Sequence, residues 1–112
     1  MQAQDEALVA VSEETFEKTV LEAQRPVLLD FSAEWCGPCV AVEPVIRDLA
    51  SEYADRLTVG TVDVDEEPEL AAHYGVRSLP TVLLIEGGRV RRVLVGARSR
   101  QEYRAAIEGL LH

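Results

Sequence analysis

The chain holds two cysteines, Cys36 and Cys39, set three residues apart in Trp35-Cys36-Gly37-Pro38-Cys39. A bond between them closes so short a loop that it constrains the unfolded chain little, so stability does not explain the pair. A secreted disulfide scaffold would use more cysteines, spread along the sequence. The chemistry that fits is a reversible dithiol–disulfide couple at the start of a helix. There the unpaired N–H groups and the helix dipole favour a thiolate. Cys36, at the tip, is expected to be the exposed nucleophile, with Cys39 one turn further in and partly buried. Helical residues three apart have β-carbons about 5–6 Å apart, and a disulfide wants them near 4 Å. A small tightening of the first turn would let both redox states share one backbone. Pro38 lacks an N–H, which the first turn tolerates. Gly37 leaves the backbone open to a close-approaching substrate, and Trp35 offers a flat apolar shoulder beside the sulfur.

Two other readings of the cysteines stand beside this one. They could be ordinary buried residues that fall three apart by chance. They could also ligate zinc, which takes four ligands, but the sequence adds only His73, within a short helix, and His112, the last residue. Metal is therefore not expected within one chain, and a site shared between chains stays open.

The elements that must position the pair follow from the hydrophobic pattern. Ala7 to Val11 is a candidate first strand. Ser12 caps a helix to about Ala23, with Glu13 and Glu14 in its first turn. Pro26 to Ala33 is nearly continuous in apolar residues, as a strand covered on both faces requires, yet carries Asp30 in its middle. After the cysteines, Val42, Val45, Ile46, Leu49 and Tyr53 mark one face of a long helix, which Pro44 should kink. Leu57 to Val64 is a strand. Pro68 to Tyr74 is a short helix stopped by Gly75. Thr81 to Glu86 and Arg89 to Val95 flank the tight turn Gly87-Gly88. Ser99 and Glu102 form a capping box that opens the last helix. The order β-α-β-α-β-α-β-β-α predicts an α/β fold. Parallel early strands and a terminal antiparallel hairpin make one mixed sheet, with helices on both faces.

Composition removes several function classes. With 112 residues, 47% hydrophobic and 28% charged, the chain fits a single globular domain over 1–112. Its apolar runs are too short to span a bilayer. Residues 1–6 carry no basic, signal-like start, which points to the cytoplasm. The net charge of −9 argues against nucleic acid or anionic lipid as a partner. There is no Gly-rich nucleotide motif, so no flavin, nicotinamide or other cofactor is expected.

The run from Asp30 to Cys39 (Asp-Phe-Ser-Ala-Glu-Trp-Cys-Gly-Pro-Cys) closely resembles the active-site segment of the thioredoxin family. The resemblance continues through Pro44, Asp63-Val64-Asp65, Tyr74 to Thr81, Gly87-Gly88 and Val95-Gly96-Ala97, and so covers nearly the whole chain. It implies the thioredoxin fold, with a mixed five-stranded sheet. It implies that Pro80 is a cis-proline against the disulfide and that Leu79 offers backbone groups to an extended substrate. It places Asp30 as a buried carboxylate that exchanges a proton with Cys39, and Gly96 on the docking groove. Burial should raise the Asp30 pKa toward neutrality. The implied activity is protein-disulfide reduction by a thiol–disulfide oxidoreductase. Cys36 would be the nucleophile and Cys39 the resolving thiol. Trp35, Gly37, Pro38, Leu79, Pro80 and Gly96 would form the substrate surface. Partners would be disulfide-containing proteins and a separate thioredoxin reductase, and the chain would act as a monomer.

The sequence departs from the family at a few points. Ser32 stands where many bacterial members have a second tryptophan. Val40 and Thr61 stand where lysines are common, which weakens positive support for the thiolate and for a charged Asp30. Leu79 is an unusual residue before the cis-proline and bears on which substrates fit. Two competing functions use the same surface. One is a thiol oxidant or isomerase, which the Gly-Pro dipeptide disfavours. The other is a binding module without turnover, which would survive replacement of both cysteines by serine.

Overall fold

The computed structural model describes residues 7–111; residues 1–6 and His112 lie outside it. The reading of residues 1–6 and the candidate ligand His112 therefore fall outside the described residues. Five strands form one sheet. They are β1 (Leu8–Ala10), β2 (Val27–Ser32), β3 (Thr58–Asp63), β4 (Thr81–Glu86) and β5 (Arg89–Val95). The spatial order is β1-β3-β2-β4-β5. β3 runs parallel to both β1 and β2, β4 is antiparallel to β2, and β5 is antiparallel to β4. This is the mixed sheet that the element order predicts.

The helices lie on both faces. The first, α1, begins as an α-helix at Glu13–Phe16 and widens to a π-helix over Glu17–Leu21. Glu22 N–H then reaches the Glu17 carbonyl at 2.8 Å. Nothing in the local sequence signals that widening. Ser12 caps α1 as expected, with Thr15 as its reciprocal partner. α2 (Gly37–Glu52) continues through Pro44, whose ring sits on the exposed side. α3 (Pro68–His73) is short. α4 (Arg100–Leu111) opens on the Ser99–Glu102 capping box, with reciprocal bonds of 3.0 and 3.1 Å.

Two apolar layers result. Val27, Leu29 and Phe31 of β2, with Leu83 and Ile85 of β4, pack toward α1 and α3 with Val20 and Leu70. Leu28, Val82 and Leu84 pack on the other face under Val42, Ile46 and Leu49 of α2 and Tyr103 and Ile107 of α4. Side chains alternate along β2, so Asp30 shares the second face with Leu28. The β4–β5 hairpin turns on Gly87 and Gly88, with φ of +61° and +79°, a pair that only glycine adopts freely.

Candidate active site

β2 ends at Ser32, and the chain reaches the start of α2 within four residues. Cys36 is the N-cap of α2, with extended φ/ψ of −89° and 108°. Its Sγ accepts the backbone N–H of Cys39 at 3.2 Å. Gly37 and Pro38 occupy the first turn, and both are exposed. Cys36 and Cys39 are joined as a disulfide, with Cα atoms 5.3 Å apart. The bond closes because Cys36 lies just outside the helix in extended backbone, rather than by tightening of a helical turn.

Cys36 is not the exposed residue that its terminal position suggests. In the disulfide form it is 5% exposed and Cys39 6%. Both pack with Ala33, and Val64 and Leu79 close over the cluster. Access to the sulfurs is therefore along the rim rather than onto a protruding side chain. Trp35 stands on that rim, 70% exposed. Its Nε1–H donates to Asp65 Oδ2 at 2.8 Å. Asp65 is held in turn by an Asp63 cap, whose Oδ1 accepts the Asp65 N–H at 2.9 Å. Sequence reasoning did not pair Trp35 with Asp65, because the two are thirty residues apart and meet only when β2 and β3 end side by side.

The Leu79–Pro80 peptide bond is cis. Pro80 is buried and Leu79 half-buried against the cysteines. The Pro80 carbonyl accepts the Gly96 N–H at 2.8 Å, which ties the end of β5 to the start of β4. A β-carbon on Gly96 would meet no atom within 4 Å, so the glycine serves its φ of +87° and not a crowded backbone.

Asp30 lies across from Thr61 on β3 and Val82 on β4, and is 5% exposed. Among the described residues its Oδ1 has no hydrogen-bond partner. Asp30 and Cys39 line one cavity of about 410 Å³, together with Thr61, Asp63, Glu43 and Arg47. Burial, and secondarily the charge of Glu43, push the Asp30 carboxyl up to about 7. Such a group can hold or release a proton near neutral pH. Glu43 and Arg47 were not singled out in the sequence, since on an exposed helix face they read as an ordinary i,i+4 pair.

The sequence-predicted site residues thus gather at one end of the sheet. His73 does not join them. Its ring centroid lies 6.1 Å from that of Phe16 and 4.8 Å from that of Tyr74. Among the described residues no cluster of three or more His, Cys, Asp or Glu could hold a metal ion.

Comparison with known proteins agrees with this geometry. The sequence model of the Thioredoxin family matches residues 7–109. Thioredoxin of Acidithiobacillus ferridurans is 42% identical over 106 residues, covering 95% of this chain and 98% of that protein. Thioredoxin of Pseudomonas aeruginosa is 40% identical over 103 residues, covering 92% and 95%. Thioredoxin 1 of Synechococcus elongatus is 46% identical over 88 residues, covering 79% and 82%. With its cysteine pair on the N-cap of α2, a cis-proline beside it, and a match across nearly all its length, the chain belongs to the thioredoxin family.

Proposed function

We propose that this chain is a single-domain, monomeric protein-disulfide reductase of the cytoplasm, with Cys36 as nucleophile, Cys39 as resolving thiol and Asp30 as proton acceptor. Family membership supplies the reaction class, thiol–disulfide exchange. The placement of Asp30 and Cys39 on one cavity is the observation that carries the assignment of roles.

In the reduced protein the Cys36 thiolate attacks one sulfur of a partner disulfide. The partner's S–S bond breaks, a Cys36–partner disulfide forms, and the departing partner thiolate takes up a proton. Asp30, as carboxylate, accepts the Cys39 thiol proton across the cavity. The Cys39 thiolate then attacks Cys36 Sγ, forming the Cys36–Cys39 disulfide and breaking the Cys36–partner bond, and the departing second partner thiolate takes up a proton. The partner gains two electrons and this chain loses two. A separate thioredoxin reductase returns them. The N–H of Cys39 aimed at Cys36 Sγ, with the open end of α2, stabilises the thiolate.

The substrate lies along the rim formed by Trp35, Gly37, Pro38, Leu79, Pro80 and Gly96. An extended peptide pairs there with the backbone of Leu79. The net charge of −9 disfavours nucleic acid as a partner. No helix among the described residues is long and apolar enough to cross a membrane.

The test uses insulin reduction coupled to a thioredoxin reductase. Cys36→Ser should abolish turnover, whereas Cys39→Ser should accumulate a mixed disulfide with the substrate. Normal turnover by Cys39→Ser would refute the mechanism. Equilibration with glutathione separates reductant from oxidant. A potential near about −270 mV supports the reductase, and one near about −180 mV supports an isomerase.

A further inference from the structure

The cavity beneath the cysteines brings charge toward Asp30 from several elements. α2 contributes Cys39, Glu43 and Arg47. β3 contributes uncharged Thr61, directly opposite Asp30, and Asp63. The loop after β2 contributes Glu34. The phenol of Tyr103 on α4 is raised chiefly by burial, with the Asp30 charge a lesser contribution. β1 contributes Leu8 to the cavity, and β4 pairs Val82 with Asp30, both apolar.

These groups do not act equally. Asp63 Oδ1 is engaged by the backbone N–H groups of Asp65 and Glu66, at 2.9 and 3.4 Å. Glu43 is the carboxylate whose charge bears on Asp30. It does not stand alone, because Arg47 Nη2 lies 2.6 Å from its Oε2, one turn along α2. Both side chains line the cavity that Asp30 shares with Cys39. Arg47 is half-buried there at 33% exposed, and Glu43 is exposed at 56%.

We propose that Glu43 and Arg47 are positioning residues for the proton transfer, a paired charge at the cavity edge that tunes how readily Asp30 gives up and takes back its proton. The inference rests on the reading of Asp30 as proton acceptor for Cys39. A negative Glu43 holds the proton on Asp30 by like-charge repulsion, and Arg47 cancels part of that field. Neutralising Glu43 makes Asp30 a carboxylate at lower pH. Neutralising Arg47 leaves the Glu43 charge uncompensated and does the opposite. The resolving step needs the carboxylate, so its acid limb moves in the same direction as the Asp30 midpoint. The pair is half in solvent, which limits each displacement to roughly half a pH unit and makes it salt-dependent. At pH 6, below the midpoint, that corresponds to a change on the order of three-fold in the rate of the resolving step.

The measurement is a carbon-13 NMR titration of the Asp30 carboxyl in the full chain. It is run on the wild type, Glu43→Gln, Arg47→Gln, Arg47→Lys and the double Gln variant. The expected result is a lower midpoint for Glu43→Gln and a higher one for Arg47→Gln. Arg47→Lys should keep the wild-type midpoint, and the double variant should fall between the two single variants. A purely structural ion pair would leave the Asp30 midpoint unmoved in every variant, and that result would overturn the proposal, as would movement of both single variants in one direction. The reading beneath it is tested separately by the single-turnover pH profile of Asp30→Asn. If that profile kept its acid limb, Asp30 would not be the proton acceptor, whatever Glu43 and Arg47 do to its titration.

Discussion

The two faces of the central strand β2 are buried alike and built differently. Toward α1 and α3 it presents Val27, Leu29 and Phe31, each no more than 1% exposed, in a continuous apolar layer. Toward α2 and α4 it presents Leu28 and then Asp30, at the head of a cavity of about 410 Å³. One face is filled for stability. The other buries a carboxylate beside a cavity, and that burial pushes its carboxyl up to about 7. The lesson is local. Within one strand, adjacent residues serve opposite ends, because their side chains alternate between a packed layer and a reacting one.

That contrast can be broken most forcefully on the apolar face. Phe31→Ala should cost about 3–5 kcal/mol, read as a lowered midpoint in urea unfolding, because the ring leaves a cavity in a close-packed layer. A loss under about 1 kcal/mol would mean that this face is as loosely filled as the other. On the reacting face the expected sign reverses. The native Asp30 carboxyl keeps its proton up to about pH 7, while the unfolded chain releases it near 3.8. Between those values the native state binds more protons than the unfolded state, so this group's contribution to stability declines as pH rises through that window. Asp30→Asn should therefore stabilise the protein at pH 8 by up to about 4 kcal/mol. The gain should vanish at about pH 4, and the resolving step should slow at pH 8, with little change at pH 4, where Asp30 already holds its proton. A gain independent of pH would show that burial of the charge is not its cause.

A third substitution sharpens the comparison from outside both layers. Arg100 of α4 meets Asp48 of α2 at 2.8 Å, each side chain 42% exposed. Solvent screening keeps such a pair weak, so Arg100→Ala should change stability by less than about 1 kcal/mol in the same urea experiment. A larger loss would mean that the surface ties between α2 and α4 share in fixing the reacting face.

Much of this was legible in the residues. The near-continuous apolar run with Asp30 inside it marked a central strand with one costly member, and the structure buries that aspartate between β3 and β4. The caps at Ser12 and Ser99 and the Gly87-Gly88 turn are local chemistry, and they fold as local chemistry dictates. Less legible was anything that depends on a neighbour distant in sequence. The π-helical turn at Glu17–Leu21 has no marker in its own residues. Cys36 read as exposed because a helix tip usually is, but Val64 and Leu79 arrive from two distant segments to cover it.

What the sequence determined alone is the set of groups able to react and the elements that carry them. Cysteine spacing, helix capping and strand periodicity act over a few residues, where the chain itself fixes distances. What only the tertiary structure decided is the company those groups keep. Trp35 meets Asp65, Leu79 meets the cysteines, and Glu43 with Arg47 meets the cavity of Asp30. Each of those meetings is set by how strands pair and helices settle on the sheet. Burial and field at a site are sums over neighbours in space, and a linear pattern does not contain that sum.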